Sequence, residues 1–328
     1  MLSDKLKKGD EIRVIAPSRS LSILSEEVIL SAIQKLENQG YIVSLSKNCR
    51  EIDEVNSSSV SSRVSDLHEA FLDTKVKAIL TAIGGFNVNQ ILGEINYDII
   101  RNNPKILCGF SDITALTNAI FSQTGLVTYS GPHFSTFGML EGVEYTQKFF
   151  DLCLTQKEHF TVDASNQWSD DAWFANQHSR KFINNEGYVI INEGVCSGTI
   201  IGGNLCTLNL LQGTKFMPEL KNTILFIEDD NLLGKYFPLE FDRNLQSLIQ
   251  HIGFEKVKGV IIGRCQNGCS IDIRTIKKII KSKKELMNIP VIYGADFGHT
   301  SPLITFPIGG TAGITAKDNK VTLNVIEH

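Results

Sequence analysis

The sequence predicts an α/β protein built on a mostly parallel sheet with helices on both faces, and two observations carry that expectation. Through residues 1–155, short buried apolar runs alternate with segments whose apolar residues recur at helical spacing. Over 156–186 the alternation stops, in a polar stretch that holds both tryptophans, Trp168 and Trp173, and beyond it the alternation resumes. A long aperiodic stretch inside a globular chain is either a linker or a functional loop. The expected organisation is therefore a first domain over 1–155, an interdomain segment over 156–190 and a second domain over 191–328.

A first strand is expected over 12–16, where Ile12, Val14 and Ile15 run into Pro17 and a polar loop. Val28, Ile29, Ala32, Ile33 and Leu36 mark a helix over 24–39 that Gly40 stops. A strand over 41–45, a serine-rich loop over 57–62, a helix over 63–72 and a strand over 77–83 follow, the last ending at Gly84-Gly85. After short helices at 89–92 and 97–101 comes a buried run ending at Gly109. Ile113, Leu116, Ile120 and Phe121 then repeat at helical spacing until Gly125. A strand from Val127 leads to the loop Gly131-Pro132-His133, and 144–154 reads as helix. The second half begins with a strand over 195–201, the turn Gly202-Gly203-Asn204 and an apolar helix. A strand over 222–228 ends in three acids; an amphipathic helix over 242–252 and a strand over 257–263 come next. A lysine-rich helix over 271–287, its charges a solvated face, precedes a strand from Ile289 and the loop carrying His299. Strands over 304–308, 313–317 and 320–326 complete the reading.

Composition narrows the function. Of 328 residues, 42% are hydrophobic and 21% charged, ordinary for a soluble globular protein. The net charge of -4 offers no basic surface for a nucleic-acid polymer or an anionic membrane. No apolar run approaches the ~20 residues that span a bilayer, and the start is too polar for a signal peptide. Seven scattered cysteines, mostly in apolar runs, read as reduced thiols, so the expected compartment is the cytoplasm. Cys265 and Cys269 are four apart without a second ligand pair, so no metal site is expected.

Three polar residues stand where an apolar strand runs out: Ser111, Glu228 and His299. Open α/β sheets bind ligands outside the carboxyl ends of their strands, so the three are placed to converge. Singly, each has an ordinary reading: Ser111 as a helix N-cap, Glu228 as a cap or surface charge, His299 as a loop residue. Together they supply a nucleophile, a base and an acid to orient the base. The strand-to-helix turn at Ser111 exposes a hydroxyl beside the N–H groups of a helix start, although Ile113 stands where a G-x-S-x-G elbow has its second glycine. The N–H groups of Gly85 and Asp112 are the candidate oxyanion donors; Gly84-Gly85 reads equally as a tight turn or a phosphate cradle. His133, Asp229, Asp230, Glu240 and Asp296 compete as base or acid. A cleft-binding protein without catalysis is the alternative from another class. A dinucleotide-binding dehydrogenase fails for want of the glycine fingerprint.

Seven short motifs resemble, in order, those of the serine LD-carboxypeptidase family, which includes the microcin C self-immunity proteins. They are Val14-Ile-Ala-Pro-Ser18, Ile83-Gly-Gly-Phe86, Gly109-Phe-Ser-Asp112, Ser130-Gly-Pro132, Ile201-Gly-Gly-Asn204, Phe226-Ile-Glu-Asp229 and Gly298-His299. The resemblance implies a Ser–His–Glu triad on Ser111, His299 and Glu228. It also implies a C-terminal domain rich in β structure, an active site at the domain interface, a homodimer, cytoplasmic location, and no metal or organic cofactor. Two activities follow from it: detoxification of aminoacyl nucleotides, and removal of the terminal D-alanine from muropeptide tetrapeptides. The stretch 166–174 looks like the tryptophan-bearing loop of the immunity branch, where an aromatic ring stacks on adenine, which favours that branch; the partner the resemblance implies is a small peptidyl or aminoacyl-nucleotide substrate. The candidate substrate contacts are Trp168, Trp173, Gly84 and Asn204, with Arg19 and Lys235 behind them.

Overall fold

In the computed structural model, which describes residues 1–328, the buried apolar runs of the first half pair as parallel strands. Ile106–Gly109 lies between Val76–Thr81 and Thr128–Ser130; Glu11–Ile15 and Ile42–Leu45 extend the sheet beyond Val76–Thr81. A sixth strand, Phe306–Ile308, returns from the far end of the chain and pairs antiparallel with Thr128–Ser130. A mixed eight-stranded sheet forms from the second half. Its centre is parallel: Gly194–Asn204, Thr223–Glu228, Gly259–Gly263 and Val291–Ala295. Antiparallel strands flank it, Thr311–Lys317 and Lys320–Glu327 on one side and Val189–Asn192 on the other. Phe160–Thr161, from the stretch without periodicity, and Val189–Asn192, just beyond it, form the two edges of this sheet, and Gln167–Trp168 pairs with Ile183–Asn184 in a hairpin of its own.

Several element boundaries differ from the sequence reading, three of them for a clear local reason. The helix expected from residue 63 begins at Val60, because Ser59 accepts from Ser62 N at 3.0 Å and turns the serine run into a capped first turn. The helix expected over 242–252 runs Phe237–Ile249, with a proline in its first turn and Phe237 buried. The lysine-rich helix stops at Lys281, since Lys283 is drawn inward to an ion pair with Asp242 at 2.5 Å.

One apolar cluster of 82 buried residues runs through both sheets, so their relative placement is fixed by the core and not by a hinge. The helix Ile113–Thr124 makes the junction. Asn118 Nδ2 donates to the Gly202 carbonyl at 2.8 Å, and Asn204 N donates to Thr114 Oγ1 at 2.9 Å. Asn204 is paired in register with Glu228 on the next strand. The helix that starts at Ser111 is thus docked on the strand beside Glu228. Gly203 permits this approach: its φ is +121°, and a Cβ there would stand 2.9 Å from Thr114 Cγ2. Gly203→Ala is expected to destabilise the fold by at least ~2 kcal/mol through strain and overlap. Urea unfolding would measure it, with Gly93→Ala as control, because a Cβ at Gly93 meets nothing within 4 Å.

Candidate active site

Ser111 sits between the buried strand Ile106–Gly109 and the helix Ile113–Thr124 with a φ of +60°, left-handed backbone for a residue that carries a Cβ. Such a conformation costs ~1–2 kcal/mol and persists where the surroundings enforce it. Here Asp112 enforces it. Its carboxylate is 2% exposed and accepts from Ser18 Oγ at 2.5 Å and from the backbone N–H groups of Asn87 and Val88, each at 2.9 Å. Burial pushes the Asp112 carboxyl up, and these three donors pull against it. The carboxylate therefore ties the turn to the loops that follow the first and third strands. The Asp112 N–H has no acceptor within the chain.

Gly84 and Gly85 cross in front of this turn. A Cβ at Gly84 would stand 2.9 Å from the Ser111 Cβ, so only glycine lets the loop lie against the serine. Arg19 Nε donates to the Gly84 carbonyl at 3.0 Å, which fixes the peptide plane whose other end is the Gly85 N–H. That N–H is also without an acceptor in the chain.

The remaining two residues come from the second sheet. Glu228 ends the strand Thr223–Glu228 and is 3% exposed. His299 follows the strand Val291–Ala295, with its ring partly open to the cleft. Its Nδ1–H donates to Glu228 Oε2 at 2.8 Å, and its Nε2 stands 3.0 Å from Ser111 Oγ. Gly298, at φ +102°, brings the loop this close: a Cβ there would lie 2.5 Å from Glu228 Oε2. Burial opposes a charge on His299, but the Glu228 carboxylate, with Asp230 and Asp229 beyond it, holds the imidazole up at about 9. Two of the competing acids, Asp229 and Asp296, are occupied elsewhere. Asp229 binds the Asn204 and Asn244 amides, and burial beside Glu228 and Asp230 pushes its pKa up to about 7. Asp296, wholly buried, accepts from Arg264 at 2.9 Å and from Ser165.

Above Ser111 and His299 opens a cavity of about 370 Å³ whose walls include Arg19, Gly84, His133, Trp173, Phe174 and Gln266. The segment bearing Trp173 is pinned over it. Ser169 and Ser301 exchange backbone hydrogen bonds at 2.7 Å, and Asn267 N donates to Asp170 at 2.6 Å. Two expected substrate contacts lie elsewhere. Trp168 does not line this cavity: the Arg264 guanidinium covers its ring at 5.1 Å, beside a separate hollow that includes Tyr293. Asn204 is 1% exposed, capping the helix Leu205–Asn209 through Thr207 N and donating to Asp229 at 3.1 Å. Lys235 is exposed and also outside the lining. Phe110, Gln266 and the anchoring Asp170 were not singled out from the sequence; each sits in a loop, where periodicity carries no signal.

These elements match known proteins along the whole chain. Two family models fit, the LD-carboxypeptidase N-terminal domain over residues 12–131 and the LD-carboxypeptidase C-terminal domain over residues 197–314. The chain belongs to the LD-carboxypeptidase family. It is 53% identical to YocD of Bacillus subtilis over 328 residues, covering 100% of both chains. The crystal structure of an MccF-like protein from Bacillus anthracis superposes with a TM-score of 0.99 at 55% identity, again over 100% of both chains. The microcin C7 self-immunity protein MccF of Escherichia coli is 29% identical, over 98% of this chain and 95% of that one. A structure of MccF in complex with glutamyl sulfamoyl guanosine superposes with a TM-score of 0.88, over 100% of this chain and 98% of that one. Like its family, the chain is a hydrolase of carboxypeptidase type, and it has the expected α/β architecture with a β-rich second half. No helix is long and apolar enough to cross a membrane.

Proposed function

We propose that this LD-carboxypeptidase family member is a serine hydrolase with Ser111, His299 and Glu228 as its triad, and that it cuts the amide-type bond of an aminoacyl nucleotide, a self-immunity type of detoxification. The observation that carries the reading is the unbroken line of hydrogen bonds, 3.0 Å and 2.8 Å, from Ser111 through His299 to Glu228 at the floor of a cavity walled by Trp173 and Phe174. Ser111 Oγ attacks the acyl carbonyl while neutral His299 takes its proton and Glu228 steadies the imidazolium. The free N–H groups of Gly85 and Asp112 receive the oxyanion, with the positive end of the helix Ile113–Thr124 behind them. His299 then protonates the leaving nitrogen, and water hydrolyses the acyl-serine ester. The reading includes a homodimer in the cytoplasm, as the family resemblance implies; sedimentation would test the dimer.

Removal of a terminal D-alanine from a muropeptide tetrapeptide is the second reading. Arg19 favours it, since only Nε of its guanidinium is committed and the residue lines the cavity, a fit for a terminal carboxylate. A paired hydrolysis assay separates the two, one substrate an aminoacyl sulfamoyl adenosine and the other a tetrapeptide ending in D-alanine. Cleavage of the first alone supports detoxification, and cleavage of the second alone replaces it with cell-wall recycling. An indole platform is worth ~1–3 kcal/mol per base, about 5–150-fold. Trp173→Ala is therefore expected to raise KM for the adenosine compound within that range, with a far smaller rise for Trp168→Ala. Equal effects of the two substitutions would remove Trp173 from the nucleotide site.

A further inference from the structure

The helix Val60–Leu72 turns Arg63, Asp66, Leu67, Ala70 and Phe71 inward, so the stripe it buries opens on an arginine. Arg63 is 3% exposed, and a guanidinium that deep is ordinarily matched by a carboxylate. Here its acceptors are all uncharged oxygens. Nη1 donates to the Pro17 carbonyl at 3.2 Å, to the Asn87 carbonyl at 3.1 Å and to Asn87 Oδ1 at 3.3 Å. Nη2 donates to Gln90 Oε1 at 2.8 Å. One charged nitrogen thus binds two loops together.

Those loops are the ones that hold the turn at Ser111. Pro17 leads into Ser18, whose hydroxyl donates to Asp112 Oδ2, and Arg19, whose Nε holds the Gly84 carbonyl. Asn87 ends the loop that carries Gly84 and Gly85, and its carbonyl and the Val88 N–H are the two ends of one peptide group. Arg63 donates to one end at 3.1 Å, and the other end donates to Asp112 Oδ2 at 2.9 Å. A buried cation and a buried carboxylate therefore face each other across a single peptide plane, an arrangement in which each hydrogen bond polarises the next. Arg63 is also among the groups that draw the Asp112 carboxyl down against its burial. Gly85 lies between the two anchored carbonyls, so close to the first loop that a Cβ would meet Ser18 Oγ and stand 2.8 Å from Arg19 Cγ. The two N–H groups without an acceptor, those of Gly85 and Asp112, are held by one side chain that bonds to neither and does not line the cavity.

We propose that Arg63 is a positioning residue for the oxyanion site, fixing the spacing of the Gly85 and Asp112 N–H groups by tying the Pro17 and Asn87 carbonyls to one nitrogen. The proposal rests on the hydrolase reading and deepens it, since those N–H groups meet negative charge only when Ser111 attacks the acyl carbonyl. Two consequences separate this role from simple support of the fold. The charge develops in the transition state, so loss of Arg63 lowers kcat and leaves substrate affinity alone. Glu228 and His299 come from the second sheet, so the pH at which His299 becomes a base stays where it is.

The test uses whichever of an aminoacyl sulfamoyl adenosine and a tetrapeptide ending in D-alanine the wild-type protein cleaves. Arg63→Met keeps the stem of the side chain and removes the guanidinium. It is expected to lower kcat by about 10 to 10²-fold, the effect of a misplacement on the order of 1 Å, with KM within about twofold of wild type. Arg63→Lys keeps the charge without the planar fork, so its kcat is expected between the two and at least about threefold below wild type. It carries the test alone where Arg63→Met does not fold. The acid limb of kcat/KM should keep its place in either variant. Lys105→Met is the control for lost stability. That ammonium is also buried and donates to the Ala70 and Asp73 carbonyls, but it stands at the amino end of the strand Ile106–Gly109, opposite the site. Lys105→Met is expected to keep the wild-type kcat. Wild-type kcat in a folded Arg63 variant, a KM that rises as far as kcat falls, a displaced acid limb, or an equal fall of kcat in Lys105→Met overturns the proposal. Failure of the hydrolase reading has a different signature, wild-type protein that cleaves neither compound and whose Ser111 stays silent to a serine-directed phosphonate.

Discussion

Ser111→Ala is expected to lower kcat/KM by about 10⁴ to 10⁶-fold, the range seen when the nucleophile of a triad is removed and the oxyanion donors and binding site remain. The loss is confined to chemistry. Ser111 Oγ has one partner, His299 Nε2, so its removal orphans no backbone group, and the Asp112 carboxylate still holds the turn through Ser18, Asn87 and Val88. The variant should melt with the wild type and still bind the aminoacyl sulfamoyl adenosine, because Trp173 and Arg19 are untouched. A serine-directed phosphonate should label wild-type protein once and the variant not at all. Near-normal turnover by the variant would end the assignment of Ser111 as nucleophile. A wild-type serine silent to the phosphonate, in a chain that still binds the nucleotide compound, would return the non-catalytic cleft reading.

The sequence made the three polar strand ends readable because strand ends are readable. Ile106–Gly109 and Thr223–Glu228 are buried throughout, so their apolar runs stop where the chain leaves the core, and Ser111, just beyond the first, and Glu228, the last residue of the second, stand at the carboxyl edges of their sheets. Convergence was less legible, since it depends on Asn118 meeting the Gly202 carbonyl and Thr114 meeting Asn204 N across 84 and 90 residues. The same contacts set where Asn204 sits, buried beside the strand that ends in Glu228. A polar residue after two glycines looks like a ligand loop; here Gly202 lies against the Phe226 backbone of the next strand, Gly203 against Thr114 of the helix Ile113–Thr124, and Asn204 caps the helix Leu205–Asn209. The stretch 156–190 was the least legible. Its strands are two to four residues long, too short for alternation to register, and its hold on the site comes from single contacts such as Ser169 to Ser301 and Asp170 to Asn267. Two tryptophans five residues apart carry equal weight in a sequence; the structure separates them, with Trp173 lining the cavity and the Arg264 guanidinium over Trp168.

Glu228→Gln is the substitution whose effect depends most on pH. His299 works as a base only when neutral, and the Glu228 carboxylate, with Asp230 and Asp229 behind it, holds it at about 9 against burial. For the wild type, kcat/KM is therefore expected to climb about tenfold per pH unit on its acid limb and to level near pH 9. Three carboxylates face the ring, Glu228 directly with Asp230 and Asp229 behind it, while His133 stands across Phe110 as a neutral ring. Glutamine removes the nearest charge and leaves burial, which lowers the pKa, so the acid limb should move down toward or below the ordinary value of 6.5. The plateau should fall by about 10³ to 10⁴-fold, because an amide steadies the imidazolium poorly and presents the wrong group to Nδ1. Stability should move in the opposite sense to activity. A histidine held above its unfolded value stabilises the fold fully below about pH 6.5, and that contribution is lost as pH rises through about 9. Wild-type protein is expected to lose this part of its thermal stability across that window, and Glu228→Gln to show no such loss from this group. An acid limb that stays in place after Glu228→Gln would mean that another residue titrates there and that Glu228 is not the partner that sets the base.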